Sequence, residues 1–171
     1  KVIGEDRREV DFQHYLVRDA CVPVAHGFRY AGADGAEPNQ RFMALLSDPS
    51  LRAVIICPSN PFVSIDPILA MPGVCESLAA CPVPVVGVSP IVGGRAIKGP
   101  LAKMLAEQDL PVNALSIARH YEGLLSGFVL DREDGDLADG MEVPVLVTQT
   151  VMRELEDHNA LAQDVLEFAD G

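Results

Sequence analysis

Two short stretches of this sequence combine the residue types that proteins use to hold phosphate groups. The first, residues 57–65 (CPSNPFVSI), offers the side chains of Ser59, Asn60 and Ser64 between prolines that stiffen the backbone. The second, residues 89–100 (SPIVGGRAIKGP), offers glycines and basic side chains. Hydroxyl and amide groups together with positive charge suit an anion, so we predict that both stretches contact one phosphate-bearing ligand.

Within the second stretch, each predicted binding residue has a distinct role. Gly93 and Gly94 allow positive φ and a close approach to a ligand, which frees backbone amides to point at phosphate oxygens. Arg95 and Lys98 supply compensating charge, and Ser89 opens the loop with a hydroxyl. Taken alone, the glycine pair also fits an ordinary turn with solvated cations beside it. The combination with the first stretch favours an anion site.

Both stretches follow short apolar runs, at residues 53–57 and 84–88, that are typical of buried parallel strands. Ligands of open α/β sheets bind beyond the carboxyl ends of such strands. The remaining pattern predicts strands at 127–130 and 143–147 and helices at 74–80, 101–108, 114–121 and 155–168. We therefore predict an α/β fold: a Rossmann-like, mainly parallel sheet with helices on both faces.

The sequence predicts two regions, a peripheral segment of helices and a strand at 1–50 and an α/β nucleotide-binding core at 51–171. In the peripheral segment, helices are expected at 7–19 and 38–46 and a strand at 24–30. The chain opens without a recognisable first strand and glycine turn. We therefore expect that an N-terminal part of the protein is missing from this sequence.

The charge of the chain indicates which partners it can bind. The formal net charge is −12, and the acidic residues are concentrated near the end of the chain. Residues 131–171 contain twelve acidic residues against Arg132 and Arg153, whereas no Asp or Glu lies between Glu76 and Glu107. The acidic region is typical of a solvated face and repels nucleic acid, which we exclude as a partner. Any anion site should lie in the stretch that has no carboxylates.

No apolar run approaches the roughly 18 residues that a membrane span needs, and the first residues do not resemble a signal peptide. We expect no membrane partner and a cytoplasmic location. The 4 cysteines include no C-x-x-C pair, which favours reduced thiols over disulfides or a metal site.

Three segments carry a resemblance to a known family. They are Ile56–Ile65 (ICPSNPFVSI), Val88–Pro100 (VSPIVGGRAIKGP) and Ala118–Asp131 (ARHYEGLLSGFVLD). Together they resemble the 2-phospho-L-lactate transferase family, and the similarity runs from about residue 10 to the end of the chain. The second segment is long enough to make chance similarity very improbable.

The resemblance implies a transferase of coenzyme F-420 biosynthesis. Such an enzyme takes a phospholactyl or phosphoenolpyruvyl group from a GDP-activated donor and transfers it to the terminal hydroxyl of the deazaflavin Fo, releasing GMP. Ser59, Asn60 and Ser64 would then lie nearest the nucleotide phosphates. Gly93, Gly94 and Lys98 would form the facing wall. The family also tends towards dimers, so a homodimer is expected.

The resemblance also implies a Mg²⁺ cofactor. The family's glycine-rich turn and the aspartates that resemble its Mg²⁺ ligands are not in this sequence, so we expect those ligands in the missing N-terminal part. Asp66 is an alternative ligand, although an aspartate at a helix start explains it more simply. No catalytic residue is assigned. Arg119 and His120 could clamp phosphate and act as a base, against a simpler role at a helix end.

Two alternatives to the transferase remain open. One is a non-enzymatic, nucleotide-sugar-binding regulatory protein of the same superfamily, with a serine-containing loop after the corresponding strand. The other is an inactive fragment. The segment at 89–100 resembles the transferases rather than the regulatory relatives, and therefore favours the transferase.

Overall fold

The computed structural model describes residues 1–171, which form nine short strands and six α-helices. The strands are β1 Val2–Ile3, β2 Glu9–Val10, β3 Gly27–Phe28, β4 Val54–Ile56, β5 Val85–Val88, β6 Ile91–Val92, β7 Arg95–Ala96, β8 Gly127–Asp131 and β9 Val145–Thr148. The α-helices are α1 Gln40–Leu45, α2 Asp66–Leu69, α3 Val74–Ala79, α4 Leu101–Glu107, α5 Ala114–His120 and α6 Leu155–Asp170.

The central sheet has four parallel strands in the order β4-β5-β8-β9, which confirms the predicted α/β class. Its middle strands are buried along their whole length and consist of apolar residues, except for Asp131 at the end of β8. A parallel sheet covered on both faces favours such runs. Because the strands are parallel, their carboxyl ends lie at one edge, where the predicted loops begin.

Alternating side chains divide the core between the two faces of the sheet. Val85, Phe128 and Leu130 belong to one buried cluster, which includes side chains from α4 and α5. Val86 and Val129 are the next residues along β5 and β8, so their side chains point to the other face. They belong to a second cluster with three side chains of α6. The period of two along each strand therefore places helices on both faces, as predicted.

Residues 1–50 differ most from their predicted elements. Val2–Ile3 forms a strand that pairs antiparallel with β2 and β3, although no first strand was recognised in the sequence. The predicted helix at 7–19 begins later than predicted, because Glu9 and Val10 join this small sheet. Residues 12–18 are helical, and His14–Arg18 within them is a π-helix. The predicted strand at 24–30 keeps two paired residues, Gly27–Phe28.

Caps fix two of the helices beside the central sheet. The Asn113 side chain accepts a hydrogen bond from Ser116 N at 2.9 Å and begins α5, as its sequence position predicts. Glu154 and Asp157 form a capping box at the start of α6. The acidic residues that follow β8 form a 3-10 helix, Arg132–Gly140. No helix combines the length and apolar character needed to cross a bilayer.

Candidate functional site

A cleft of about 420 Å³ opens at the carboxyl edge of the central sheet. Its walls come from the segments that follow three strands: β4, β5 and β9. We call it the cationic cleft, and it is lined by Pro58, Asn60, Ser89, Pro90, Val92, Ile97, Lys98, Leu101, Thr150, Val151, Met152, Arg153 and His158. The volume lies within the range of small-molecule sites, roughly 300–1,000 Å³.

The charge of this cleft is opposite to that of the whole chain. Lys98, Arg153 and His158 line it, and no Asp or Glu does. The side chains of Lys98 and Arg153 are exposed and join none of the ion pairs of the protein. Two cations outside every ion pair, in a protein of net charge −12, make the cleft suited to an anion, although Asp157 lies near Arg153 and accepts from its backbone N at 2.8 Å.

Asn60 adds a polar group to the wall that follows β4. Its Nδ2 lies 3.3 Å from Met104 Sδ, a weak acceptor, and its Oδ1 is buried without a hydrogen-bond partner in the protein. Buried amide oxygens are normally satisfied, so an unpaired one at a cleft wall is a candidate acceptor for a donor group of a ligand, and not a contact for a phosphate oxygen. Apolar side chains such as Val92, Ile97 and Met152 line the rest.

Two buried carboxylates lie behind the cleft, on the segment that follows β8. Burial raises the pKa of Asp131, but hydrogen bonds from Glu133 and from Thr150 outweigh it, so that the pKa falls below its ordinary value. Burial raises the pKa of Asp134 above its ordinary value, and the Gly93 amide lowers it only in part. Neither carboxylate lines the cleft itself.

The arrangement can be compared with known proteins. The family model for 2-phospho-L-lactate transferase CofD matches residues 1–163. The chain belongs to this family. The phosphoenolpyruvate transferase of Streptomyces coelicolor is 35% identical over 159 residues, which are 92% of this chain and 49% of the relative. That of Streptomyces griseus is 34% identical over 96% of this chain and 52% of the relative.

A more distant relative gives the same picture. The phosphoenolpyruvate transferase of Mycobacterium tuberculosis is 31% identical over 166 residues, which cover 95% of this chain and 49% of the relative. The chain thus spans about half the length of the curated relatives it matches. The CofD-family resemblance of the sequence is confirmed.

The structure brings together part of the predicted site. Three of the predicted residues, Asn60, Ser89 and Lys98, line the cationic cleft. The others lie on the same two loops but outside its lining: Ser59, Ser64, Gly93, Gly94 and Arg95. The two loops of this CofD-family chain therefore share one cleft, though through only some of their polar side chains.

Ser89 lines the cleft but uses its hydroxyl locally. Its Oγ donates to Ile91 O at 2.8 Å and accepts from Ile91 N at 3.1 Å. Gly93 and Gly94 both have positive φ, +53° and +72°, and form the two-residue turn between β6 and β7. This is the ordinary hairpin turn that the glycine pair alone suggested.

The turn is also tied down by acidic residues. Gly93 N donates to both carboxylate oxygens of Asp134, at 3.0 and 3.2 Å. Arg95 is paired with Glu133 at 3.4 Å on the surface. The Gly93 amide is engaged within the protein, and the charge of Arg95 is partly compensated, which leaves Lys98 as the uncompensated cation of this loop.

Asp66 and His120 lie outside the cleft and bind each other. His120 Nε2 lies 2.8 Å from Asp66 Oδ1, and Tyr30 Oη donates to Asp66 Oδ2 at 3.0 Å. The His120 ring packs edge-on against Phe62 and Tyr121. Asp66 begins α2 and His120 ends α5, as the simpler interpretation of each residue predicts. We call these five residues the Asp66 cluster.

Neither the cleft nor the Asp66 cluster fits the Mg²⁺ that the family implies. Mg²⁺ prefers several oxygen ligands, often including carboxylates. The cleft has no carboxylate, and no group of three or more His, Cys, Asp or Glu residues lies close enough together to hold a metal ion. We therefore assign no metal ligand to the residues of this chain.

Two other depressions are poorer candidates for an anion site. One of about 550 Å³ near β1 is lined by Glu5 and Glu9 as well as Arg7. Another of about 260 Å³ beside α5 is lined by Glu122 and Glu142 as well as Arg119. Mixed charge and a position away from the carboxyl ends of the strands set both apart from the cationic cleft.

The third wall of the cleft was missed in the sequence. Thr150, Val151, Met152 and Arg153 follow β9, and His158 follows on α6. The signal was available, because strand 143–147 was predicted and its carboxyl end lies at the same edge as the others. The acidic composition of residues 131–171 concealed it, since Arg153 was counted there only as a minority charge.

Proposed function

We propose that the protein is a transferase of coenzyme F-420 biosynthesis. It moves a phospholactyl or phosphoenolpyruvyl group from a GDP-activated donor to the terminal hydroxyl of the deazaflavin Fo. The hydroxyl oxygen attacks the phosphorus that carries the three-carbon acid, a new phosphodiester bond forms, and the bond to the GMP phosphate breaks. GMP leaves with the electron pair of that bond, and the hydroxyl proton is released.

The observation that carries this proposal is the cationic cleft of a CofD-family chain. Phosphoryl transfer depends mostly on positioning and on neutralising charge at the phosphate oxygens. Lys98 and Arg153 reach the cleft from opposite walls and have no acidic partner, so both can neutralise a diphosphate. The Asn60 carboxamide adds a polar group near the same space.

The predicted residues outside the lining keep a supporting part in the proposal. Ser59 and Ser64 belong to the segment after β4 that carries Asn60, while Gly93, Gly94 and Arg95 form the hairpin before Lys98. Mg²⁺ would need oxygen ligands beyond those of the cleft. The names of the relatives favour a transferase over the regulatory alternative, because each of them is a phosphoenolpyruvate transferase.

An activity assay tests the proposal. The protein, the GDP-activated donor, Fo and Mg²⁺ are incubated together, and GMP and the phosphodiester product are followed by mass spectrometry. We expect both products in equal amounts, with a large loss in the double variant Lys98→Ala, Arg153→Ala. Arg41→Ala is the matched control, because Arg41 is exposed on α1, away from the cleft. GMP formation no faster than without protein would contradict the proposal.

A further inference from the structure

Asp131, at the end of β8, is only 3% exposed and meets no cation. Its Oδ2 accepts hydrogen bonds from Thr150 N at 2.8 Å and from Thr150 Oγ1 at 3.0 Å, and its Oδ1 accepts from Glu133 N at 3.0 Å. A buried carboxylate satisfied entirely by such donors holds them firmly, because bonds to an ionised acceptor are shorter and stronger than neutral ones. Asp131 therefore fixes the first residue of the cleft wall that follows β9.

Asp134 holds the cleft wall that follows β5. It is 5% exposed, and both of its oxygens accept from Gly93 N. Gly93 forms the turn of the β6–β7 hairpin, and Lys98 lies two residues beyond β7. The carboxylate thus holds the hairpin from which the lysine-bearing segment leaves.

The topology explains why one segment can reach both walls. β8 lies between β5 and β9 in the sheet, so the residues that follow it lie between the loops that follow those two strands. Asp131 and Asp134 are three residues apart and point their carboxylates to opposite sides, one to Thr150 and one to Gly93. Neither lines the cleft, and each acts through the backbone of a loop that does.

We infer that Asp131 and Asp134 are positioning residues for the cationic cleft: they hold Thr150 and Gly93, and so fix the walls that carry Arg153 and Lys98. The inference rests on the proposed function for its effect on ligand binding. It extends the site to two residues that touch neither the ligand nor the cleft. In effect, Asp131 and Asp134 hold the two loops that carry the cations of the cleft.

Two pairs of variants test the inference, with inorganic diphosphate as the probe. Thr150→Val keeps the shape of the side chain but removes one hydrogen bond to Asp131, and Thr150→Ser restores the hydroxyl. Asp134→Ala removes the acceptor of Gly93 N, and Asp134→Asn keeps one acceptor oxygen. Calorimetry gives the Kd for diphosphate, thermal unfolding gives stability, and amide hydrogen exchange reports on Gly93 and on residues 150–153.

We expect Thr150→Val to weaken diphosphate binding by about fivefold and Asp134→Ala by about tenfold, in keeping with the loss of a charge-assisted hydrogen bond. The rate of amide hydrogen exchange should rise at residues 150–153 in Thr150→Val and at Gly93 in Asp134→Ala. Thr150→Ser and Asp134→Asn should recover most of the affinity. A purely structural role would lower the unfolding temperature without this pattern of lost and recovered binding.

The outcomes separate this inference from the proposed function. If the double variant Lys98→Ala, Arg153→Ala loses diphosphate while Thr150→Val and Asp134→Ala bind it as the wild type does, the positioning role is overturned and the cleft stands. If the wild type does not bind diphosphate, the proposed function fails, and hydrogen exchange decides the inference alone. Unchanged exchange at Gly93 and residues 150–153 in the variants would then overturn it.

Discussion

The cationic cleft and the Asp66 cluster both gather polar side chains from distant parts of the chain, but they treat charge in opposite ways. In the Asp66 cluster, both carboxylate oxygens of Asp66 are used, one by His120 and one by Tyr30. In the cleft, Lys98 and Arg153 have no acidic partner. The polar groups of the first arrangement bind one another, whereas the second leaves two cations available for the anion that we propose.

The difference shows that the type of a side chain predicts its role less well than the contacts that its charge makes in the folded protein. His120 and Asp66 have the side chains of a catalytic pair, yet they tie the end of α5 to the start of α2. Lys98 forms no ion pair and lines an open cleft. Substitutions in the two regions should therefore affect different properties, binding in one and stability in the other.

The largest effect is expected from removing both cations of the cleft. Lys98→Ala combined with Arg153→Ala should weaken the binding of inorganic diphosphate by about 100-fold or more, because each charge-assisted contact contributes about 1.5–3 kcal/mol. The unfolding temperature should not change, since both side chains are exposed. Calorimetry and thermal unfolding check the two statements, with Arg41→Ala as the control. If the double variant binds diphosphate as tightly as the wild type does, the proposed difference between the cleft and the Asp66 cluster is wrong.

A substitution in the Asp66 cluster should give the reverse result. Asp66→Ala removes the partner of His120 and one acceptor of Tyr30, and is expected to lower the free energy of unfolding by about 1–3 kcal/mol. Asp66→Asn, which keeps an acceptor oxygen, should cost less. Diphosphate binding should stay at the wild-type level in both. Urea unfolding and calorimetry provide the measurements, and a marked loss of binding would show that the cluster belongs to the site.

A third substitution sharpens the comparison by changing the support of the cleft and leaving its charges intact. Gly93→Ala places a Cβ in steric conflict with Glu133 Oε2 at a φ of +53°, whereas a Cβ at Gly94 comes no closer than 3.6 Å, to Val112 O. The left-handed backbone costs a non-glycine residue about 1–2 kcal/mol at either position, so the additional contact should make Gly93→Ala the less stable. Urea unfolding of the two variants measures the difference. Equal stability would mean that the exposed Glu133 side chain moves aside freely.

The smallest expected effect is the contribution of two buried carboxylates, Asp131 and Asp134, to the pH dependence of the free energy of unfolding. Burial raises the pKa of Asp134 in the folded state above its ordinary value of 3.8. Its ionisation therefore opposes folding: this destabilisation is absent below the unfolded-state pKa and is complete once pH has risen through the folded-state pKa. Asp134→Asn should accordingly gain stability relative to the wild type as pH rises from about 3 to 7.

Asp131 has the opposite sign, because its hydrogen bonds lower its pKa in the folded state despite burial. Its stabilisation is present above the unfolded-state value of 3.8 and is lost as pH falls through the folded-state pKa. Unfolding free energies measured by urea across this pH range test both carboxylates. A wild type and an Asp134→Asn variant with parallel pH profiles would contradict the account of Asp134.

Much of the fold could be predicted because the central sheet consists of apolar runs separated by turn residues. The runs at 53–57 and 84–88 became β4 and β5 with small changes at their ends, and Asn113 marked the start of α5 correctly. Residues 1–50 were harder, because two-residue strands carry no period that a sequence can show. Their pairing depends on contacts between residues far apart in the chain.

The candidate site could be predicted only in part for a related reason. The sequence showed which loops follow which strands, and the structure has Asn60, Ser89 and Lys98 of those loops in the lining of one cleft. It could not show that the Gly93 amide donates within the protein, since its partner Asp134 is distant in the chain and is brought close by the tertiary fold. Arg153 was missed because its local composition is acidic.

The most direct test of the cleft is a titration of isotopically labelled protein with inorganic diphosphate, followed by amide chemical shifts in NMR spectra. The account predicts the largest shifts at Asn60, at Lys98 and at residues 150–153, with Tyr30 and His120 unchanged. Shifts that are confined to the Asp66 cluster, or absent at millimolar diphosphate, would contradict it.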